Sequence, residues 1–183
     1  LGASKQQLYA NATRMHETPL LLELNSLTVP GYIDLEAQDA WQFEVGTRGS
    51  SGAFKWDLSF YDIELRNEIL NINVQPFPFA PFTVPTYRNA DETRHAGVEL
   101  GAGWGTSLNL FTKKNGGDAI AIDAAYTYGR NTFVKDSTFD GNRIPGVPEH
   151  SVQAAVRYLH PSGLTITPSL WWVPQEYFVN SEN

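Results

Sequence analysis

The sequence predicts an all-β chain in which about seven antiparallel strands follow one another up and down and turn an apolar face to lipid. Three observations support this fold class. Apolar and polar residues alternate with a period of two, short and long connections alternate along the chain, and aromatic residues gather near both ends of the apolar face. Helical periodicity is scarce, and no apolar run approaches the ~20 residues that a membrane helix needs.

Seven segments have the length and the alternation expected of membrane strands. The clearest is FKWDLSFYDIEL at residues 54–65, and the least regular is QQLYANATR at residues 6–14. Together the predicted strands span residues 6–14, 41–48, 54–65, 96–104, 119–129, 150–160 and 164–173.

Two irregularities are expected within these strands. Pro168 has no N–H to donate to a neighbouring strand, so we expect the last strand to bulge at this residue. The apolar positions switch parity at Tyr61, Ile63 and Leu65, which predicts either a bulge or a strand that has already left the bilayer.

The connections between the strands alternate in length. Short turns follow the second and the sixth strands, and a connection of middle length follows the fourth. The other three connections are long and span residues 15–40, 65–95 and 130–149. A meander with short turns at one end and long loops at the other explains this rhythm, whereas a Greek-key sandwich does not.

One face of the predicted strands is free of charged residues; on the third strand it carries Phe54, Trp56, Leu58 and Phe60. The opposite face is polar, charged or small. Its charges are expected to form a hydrated wall with ion pairs across strands rather than an acid–base site. These charged residues are Glu44, Asp57, Glu99, Asp123 and Arg157.

The aromatic residues of the apolar face form two groups. Trp56, Trp104 and Tyr158 lie beside the short turns, and Trp41, Tyr126, Tyr128 and Trp172 lie beside the long loops. Trp and Tyr favour the membrane–water interface, because the ring is apolar and its N–H or O–H needs water. The pattern therefore predicts two membrane girdles, an apolar face towards lipid and a polar face around a lumen.

The composition excludes several classes of function. The chain of 183 residues has no cysteine, so disulfides, zinc–thiolate sites and thiol catalysis are excluded. Its net charge of −7, without a basic patch, argues against nucleic acid as a partner. The sequence contains neither GxSxG nor HExxH, and it predicts neither enzyme activity nor a cofactor.

Four stretches, which together cover most of the chain, resemble the β-barrel of TonB-dependent outer-membrane receptors. They follow the order of that family, and NADETRHAGVEL and the pairing of IPGVPEH with RYLHPSG are the most specific parts. The stretches are LYANATRMHETPLLLEL, AWQFEVGTRGSSGAFKWDLSFYDIELRNEIL, YRNADETRHAGVELGAGW and NRIPGVPEHSVQAAVRYLHPSGLTITPSLWWVPQEYFVN.

The resemblance implies a barrel of ~22 strands in the outer membrane of a Gram-negative bacterium. Such a receptor takes up a scarce nutrient, most often a ferric siderophore, with energy delivered through TonB. Nothing here resembles the plug domain or the box that engages TonB, and chains of the family continue further. Residues 1–183 are therefore expected to form one partial barrel domain, an open fragment without the plug and the final strands.

The same resemblance implies the partners of this segment. They are outer-membrane lipid and lipopolysaccharide, the plug domain and the remaining barrel, TonB indirectly through the plug, and a ferric siderophore or another small nutrient.

The third connection contains the candidate ligand contacts. Repeated proline keeps its segment PFPFAPFTVPTYR extended and out of a sheet. A self-packed outer loop is the alternative interpretation. The candidates are Phe77, Phe79, Phe82 and Tyr87, for stacking on an aromatic or iron-chelate ligand, and Arg88 and His95, for an anionic one.

Metal binding is only weakly indicated, and no metal site is predicted. DSTFDGN at residues 136–142 matches the first half of a calcium loop, but Val147 stands where a bidentate Glu is needed. A polar loop with a turn at Asp140 and Gly141 is the expected structure. His95 and His150 both begin strands after long loops, but no pair of histidines has metal-ligand spacing on one strand or helix.

Two other hypotheses compete with a receptor segment. A small complete outer-membrane barrel, an enzyme or an adhesin of about eight strands, requires its first and last strands to pair. A soluble β-rich binding module requires the apolar face to be buried, because alternation alone does not distinguish inside from outside.

Overall fold

In a computed structural model, the chain forms a single antiparallel sheet. The structure describes residues 4–25, 33–75, 77–111, 117–177 and 181. The strands lie in the sheet in chain order, and the last two both pair with the sixth. The elements are β1 (Lys5–Glu17), α1 (Leu21–Leu24), β2 (Gln38–Ser51), β3 (Phe54–Val74), β4 (Val84–Ser107), β5 (Ala119–Lys135), β6 (His150–Leu159), β7 (Thr165–Ile166) and β8 (Ser169–Trp172).

All seven predicted strands form. The segment 164–173 divides into β7 and β8, and the break falls at Thr167 and Pro168, which confirms the expected irregularity. Pro168 still takes part in the sheet as an acceptor, since its carbonyl oxygen lies 3.0 Å from the Val156 amide nitrogen. A residue without an N–H can accept a hydrogen bond but cannot continue the ladder as a donor.

The prediction of a long connection at residues 65–95 is wrong. β3 continues to Val74 and β4 begins at Val84, and the two strands pair over this whole extension. Residues 68–74 carry enough alternation to form a strand once a partner is present. Repeated proline keeps the chain out of the sheet only around residues 77–83.

No bulge occurs at Tyr61, Ile63 and Leu65. β3 pairs with β4 in continuous register from Phe54 to Arg66. The side chains at 62 and 64 therefore stay on the same face as Phe60, and that face becomes charged. The irregularities lie further along, at Asn67, whose φ is +55°, and at the Glu92/Thr93 register shift between β4 and β5.

The two faces of the sheet differ as predicted. Directly paired residues share a face, so the register places Val45, Phe60, Val98 and Tyr128 in one row of the apolar face. This face is open: Val45 is 55% exposed and Phe60 49%. The soluble module, which needs a buried apolar face, does not agree with this structure.

The aromatic residues of the apolar face follow two slanted lines. Trp41 lies in the row of Glu64 and Arg94. Trp172 lies in the row of Val152, which is nearer the short turns than the row of Trp41. At the other end, Tyr158 lies nearer the short turns than the row of Trp56. Both lines slope in the same direction, as expected of strands tilted by about 35–45° to a membrane normal.

The sheet does not close. Among the described residues, β1 pairs only with β2, and β7 and β8 pair only with β6. The pairing of first and last strands that a small complete barrel requires is therefore not present in this part of the chain. No helix among the described residues is long and apolar enough to cross a membrane.

Candidate functional site

The hairpin of β3 and β4 projects past its neighbours at the end of the sheet that carries the long loops. β2 pairs with β3 only as far as Arg66, and β5 pairs with β4 only as far as Glu92, whereas β3 and β4 remain paired up to Val74 and Val84. The short segment at its end, residues 77–83, is called the aromatic tip below.

Three phenylalanines of the aromatic tip are exposed. The rings of Phe77 and Phe82 meet edge to face, with centroids 6.0 Å apart. Phe79 is 96% exposed and has a φ of +67°, a conformation that non-glycine residues rarely adopt. Burial therefore does not hold this ring, which is accessible from outside the sheet.

An ion pair holds the loop 136–149 against the hairpin. Arg88 Nη2 lies 2.8 Å from Asp136 Oδ2, and the Asp136 side chain is fully buried. Asp136 Oδ1 accepts hydrogen bonds from the backbone N–H groups of Thr138 and Phe139, both at 2.9 Å. The guanidinium of Arg88 also lies 5.0 Å from the centroid of the Phe139 ring, a cation–π contact.

The pKa of Asp136 follows from these contacts. Burial alone raises the pKa of the carboxyl group, but the two backbone N–H groups and Arg88 together stabilise the carboxylate. The net result is a pKa below the ordinary value of 3.8. Asp136 is therefore charged in the folded loop at neutral pH.

A small apolar core lies under the same loop. Ala90, Phe133 and Ile144 are buried, and Leu70 and Phe139 pack against them. This core and the Arg88–Asp136 pair join the loop to the hairpin, so the two segments form one unit at the long-loop end of the sheet.

A second polar cluster surrounds His95 on the polar face. His95 Nδ1 lies 2.8 Å from Asn131 Oδ1, and Nε2 lies 3.1 Å from Glu68 Oε2. The hydroxyl of Thr93, which is 2% exposed, donates to the same carboxylate oxygen. Both ring nitrogens face acceptors, an arrangement that suits the doubly protonated ring.

The structure therefore separates the six candidate ligand contacts into two groups. Phe77, Phe79 and Phe82 lie at the exposed tip. Tyr87, Arg88 and His95 lie within β4 rather than in a loop, because β4 begins at Val84. Arg88 and His95 already have acidic partners, so a ligand at either residue competes with Asp136 or Glu68.

The sequence alone does not reveal the partners Glu68, Asn131 and Asp136. For Asp136 a signal was present, since an Asp followed by Ser and Thr is typical of an Asx turn. The turn expected at Asp140 and Gly141 is confirmed, and Gly141 has a φ of +81°. The described residues hold no group of three His, Cys, Asp or Glu side chains able to bind a metal ion.

The two histidines that follow long loops lie on opposite faces. His95 faces Glu68 on the polar face, whereas His150 shares a row with Tyr128 on the apolar face. His150 Nδ1 lies 2.7 Å from the Tyr126 hydroxyl. The two histidines are therefore not placed to hold one ion.

The ion pairs expected along the polar face among Glu44, Asp57, Glu99, Asp123 and Arg157 are not present in the described part of the chain. Glu44 instead accepts a hydrogen bond from the Tyr9 hydroxyl at 3.1 Å. Arg48, which pairs in register with Asp57, turns towards β1, where its Nε lies 3.0 Å from Gln7 Oε1. The partners across from the remaining acidic residues are mostly glycine, serine or threonine, which carry no charge.

Comparison with known proteins agrees with this architecture. Residues 3–181 match the family described as TonB dependent receptor-like, beta-barrel. No curated protein sequence matches the chain at a significant level. Among solved structures, a copper transporter, OprC, is similar with a TM-score of 0.60 at 19% identity, over 86% of this chain and 22% of that one. The chain thus spans about a fifth of that transporter, and the likeness concerns the fold. Since the family match extends over nearly the whole sequence, the chain belongs to the TonB-dependent receptor β-barrel family.

Proposed function

We propose that the chain forms a section of the barrel wall of an outer-membrane receptor that imports a scarce nutrient with energy delivered through TonB. The observation that carries this proposal is a single-layer sheet with an exposed apolar face in a chain of the receptor family. In water such a face favours aggregation, whereas in a bilayer it meets hydrocarbon. The proposed role is transport rather than catalysis.

The proposed orientation follows from the two faces. The apolar face lies towards outer-membrane lipid and lipopolysaccharide of a Gram-negative bacterium, with the long-loop end outside the cell. The polar face lines the lumen, where it meets the plug domain through which TonB acts. The aromatic residues placed at the two interfaces are Trp41, Trp56, Trp104, Tyr126, Tyr128, Tyr158 and Trp172.

The open edges support a place within a larger barrel. β1 on one side, and β7 and β8 on the other, each leave a row of backbone groups without strand partners among the described residues. Unpaired N–H and C=O groups are very costly in hydrocarbon, so both edges require further strands. We infer that the remaining barrel of the receptor supplies these strands.

The proposed cargo is a ferric siderophore or a similar chelate. Phe77, Phe79 and Phe82 are exposed and suit an organic ligand with an aromatic or apolar surface. The copper transporter that shares the fold raises bare copper as another cargo, but this segment contributes no cysteine and only one methionine, the soft ligands that Cu(I) prefers. The aromatic tip therefore favours a chelated cargo.

The test is uptake by whole cells. Cells with and without functional TonB are given radioactive iron as a panel of ferric siderophores, and radioactive copper in a separate arm. We expect TonB-dependent uptake of at least one ferric siderophore, lost on deletion of the gene and restored by its return. Copper uptake alone would overturn the siderophore cargo. Recovery of the protein outside the outer membrane, with or without functional TonB, would overturn the transport role.

A further inference from the structure

The β3–β4 hairpin is irregular at its root. The ladder between its strands breaks after the pair Arg66–Glu92 and resumes two residues later on each strand. Asn67, which lies in this break, has a φ of +55°, a left-handed conformation that asparagine adopts more readily than most residues. β4 also shifts its register with β5 directly after Glu92. Both strands of the hairpin are therefore irregular at the same level, which makes this level the place for a bend.

The sheet is narrower above this break than below it. β2 pairs with β3 up to Arg66, and β5 pairs with β4 up to Glu92, so the hairpin alone continues the ladder at residues 67–91. A two-stranded ribbon is at best marginally stable by itself. Residues 67–91 are called the arm below, and the aromatic tip lies at its end. The orientation of the arm therefore depends on side-chain contacts with the segments around it.

Glu68 connects the arm to the sheet below the break. Its Oε2 atom accepts a hydrogen bond from the Thr93 hydroxyl and lies 3.1 Å from His95 Nε2. His95 Nδ1 in turn lies 2.8 Å from Asn131 Oδ1 on β5. The side chains of Glu68 and His95 are only 15% and 20% exposed. A nearly buried chain of contacts thus crosses the root from the arm through β4 to β5.

One proton determines how many of these contacts form. A neutral imidazole has a single N–H and donates either to Glu68 or to Asn131, whereas the imidazolium of His95 donates to both. Imidazole changes its charge between about pH 5 and 8. The connection between the arm and the sheet is therefore complete only when the ring is doubly protonated.

Among the described residues, the other charged groups that contact the arm, or lie beside Asn131, are carboxylates and guanidinium groups. Such groups ordinarily keep their charge over the range in which imidazole titrates. They are Glu36, which accepts from Asn67 Nδ2 at 2.7 Å, Asp136, which pairs with Arg88 at 2.8 Å, Asp91, which accepts from the Ser137 amide at 3.2 Å, and Arg143 and Glu149, which pair at 2.9 Å.

We propose that His95 and Glu68 form a proton-dependent latch that fixes the arm, and with it the aromatic tip, at the root of the hairpin. When the ring loses its proton to water, one donated hydrogen bond is lost and the His95–Glu68 contact loses one of its two charges. Charge-assisted hydrogen bonds are roughly twice as strong as neutral ones, so the arm becomes more mobile as the pH rises. This inference goes beyond the proposed function, since it concerns the hairpin whatever cargo the tip contacts.

The test measures the distance between two spin labels by pulsed electron resonance, in protein purified from outer membranes and reconstituted in lipid vesicles. Thr83→Cys places one label at the aromatic tip. Thr13→Cys places the other on β1, in the row of Ile63 and His95 below the break. The segment has no cysteine of its own, so within it only these two positions are labelled.

Three variants separate the latch from a purely structural role. His95→Gln keeps a donor for Glu68 but does not titrate, and Glu68→Gln removes the charge that pairs with the imidazolium. His16→Gln is the matched control, since His16 Nδ1 lies 3.1 Å from Asp39 Oδ1 in a histidine–carboxylate pair that joins β1 to β2 and does not reach the arm.

We expect a narrow distance distribution in the native protein at about pH 5 and a wider one at about pH 8. His95→Gln loses this pH dependence, His16→Gln keeps it, and Glu68→Gln is wide at both pH values. A native distribution that does not change with pH, or a His95→Gln variant that widens as the native protein does, overturns the latch. If His95→Gln does not fold, a narrow distribution in Glu68→Gln at about pH 5 overturns it equally. Uptake of cargo does not enter the measurement, so its result leaves the transport role untouched.

Discussion

The ring of Tyr61 on β3 covers the backbone of Gly97 on β4. A Cβ atom added at Gly97 would lie 2.6 Å from the Tyr61 hydroxyl and would overlap the carbonyl oxygen of Tyr128 on the next strand. The same hydroxyl lies 3.0 Å from the Cβ position of Gly129. The glycines therefore leave room for an aromatic ring to lie flat across two strands of the polar face.

Replacing Gly97 with alanine tests this arrangement. Because a carbonyl oxygen of the sheet limits the space, the sheet must shift, and we expect Gly97→Ala to lower the free energy of unfolding by about 1–3 kcal/mol. The measurement is urea unfolding of the protein reconstituted in lipid vesicles. Gly101→Ala is the matched control on the same strand and face, because its Cβ would lie 3.7 Å from Asp57 Cβ, an ordinary contact. Equal losses in the two variants would contradict the requirement for glycine at position 97.

The Arg88–Asp136 pair makes the loop 136–149 sensitive to acid. Folding lowers the pKa of Asp136, so the unfolded loop binds the proton more tightly than the folded loop does. The stabilisation is complete above the ordinary value of 3.8 and is lost as the pH falls through the lower folded pKa. Hydrogen exchange at the amides of Thr138, Phe139 and Ile144, corrected for the intrinsic rate at each pH, is expected to accelerate in that acid range.

Asp136→Asn separates charge from shape in the same loop. The amide keeps an oxygen for the backbone N–H groups but loses the charge that pairs with Arg88, so we expect faster exchange at neutral pH and a weaker acid response. Asp140→Asn, in the turn of the same loop, is the control. Loss of acid sensitivity in the control but not in Asp136→Asn would refute the assignment to Asp136.

Phe79 is expected to matter for ligand and not for folding. Its ring is 96% exposed, so Phe79→Ala removes almost no buried surface. If the tip stacks on the cargo, the apparent affinity falls by roughly one order of magnitude, the scale of one aromatic contact. The measurement is binding of the transported chelate to whole cells. Phe111→Ala is the control, since Phe111 is 67% exposed in the connection between β4 and β5 at the opposite end. An unchanged affinity in Phe79→Ala would remove this ring from the proposed site.

The orientation of the two faces is testable with one charge. Leu100 lies in the row of Leu58 and Tyr126, in the middle of the apolar face, and an arginine there must enter hydrocarbon. We expect Leu100→Arg to cost about 2–4 kcal/mol in vesicles. Thr127→Arg places the same charge on the polar face beside Glu99 and is expected to be tolerated. The opposite order of stabilities would invert the assignment of the faces.

The sequence predicts the membrane part of the fold better than the part beyond it. Between Phe54 and Phe60 one face is uniformly apolar and the other is polar, so alternation reports the structure directly. Beyond Asp62 and Arg94 the apolar face becomes charged, which interrupts the alternation before it resumes at residues 68–74, and the long hairpin is missed. Strand pairing between β3 and β4, rather than local pattern, determines the structure there.

The candidate site shows the same division. Aromatic residues of the tip are recognisable because repeated proline marks them as a turn region between strands. The environments of Arg88 and His95 depend on Asp136, Glu68 and Asn131, which are 27–48 residues away in sequence. Spacing along one chain carries no information on such contacts, so the sequence places both cations in a loop and leaves them without partners.

The length of the β3–β4 hairpin sets how far the aromatic tip stands from the cell. From Arg66 to Val74 the strand advances about 26 Å at roughly 3.3 Å per residue. With strands tilted by about 40°, this raises the tip roughly 20 Å above the charged border of the membrane. The phenylalanines thus stand well beyond the ends of the neighbouring strands rather than level with them. In the proposed function, this height puts the first encounter with a dilute nutrient outside the barrel, before any step that needs TonB.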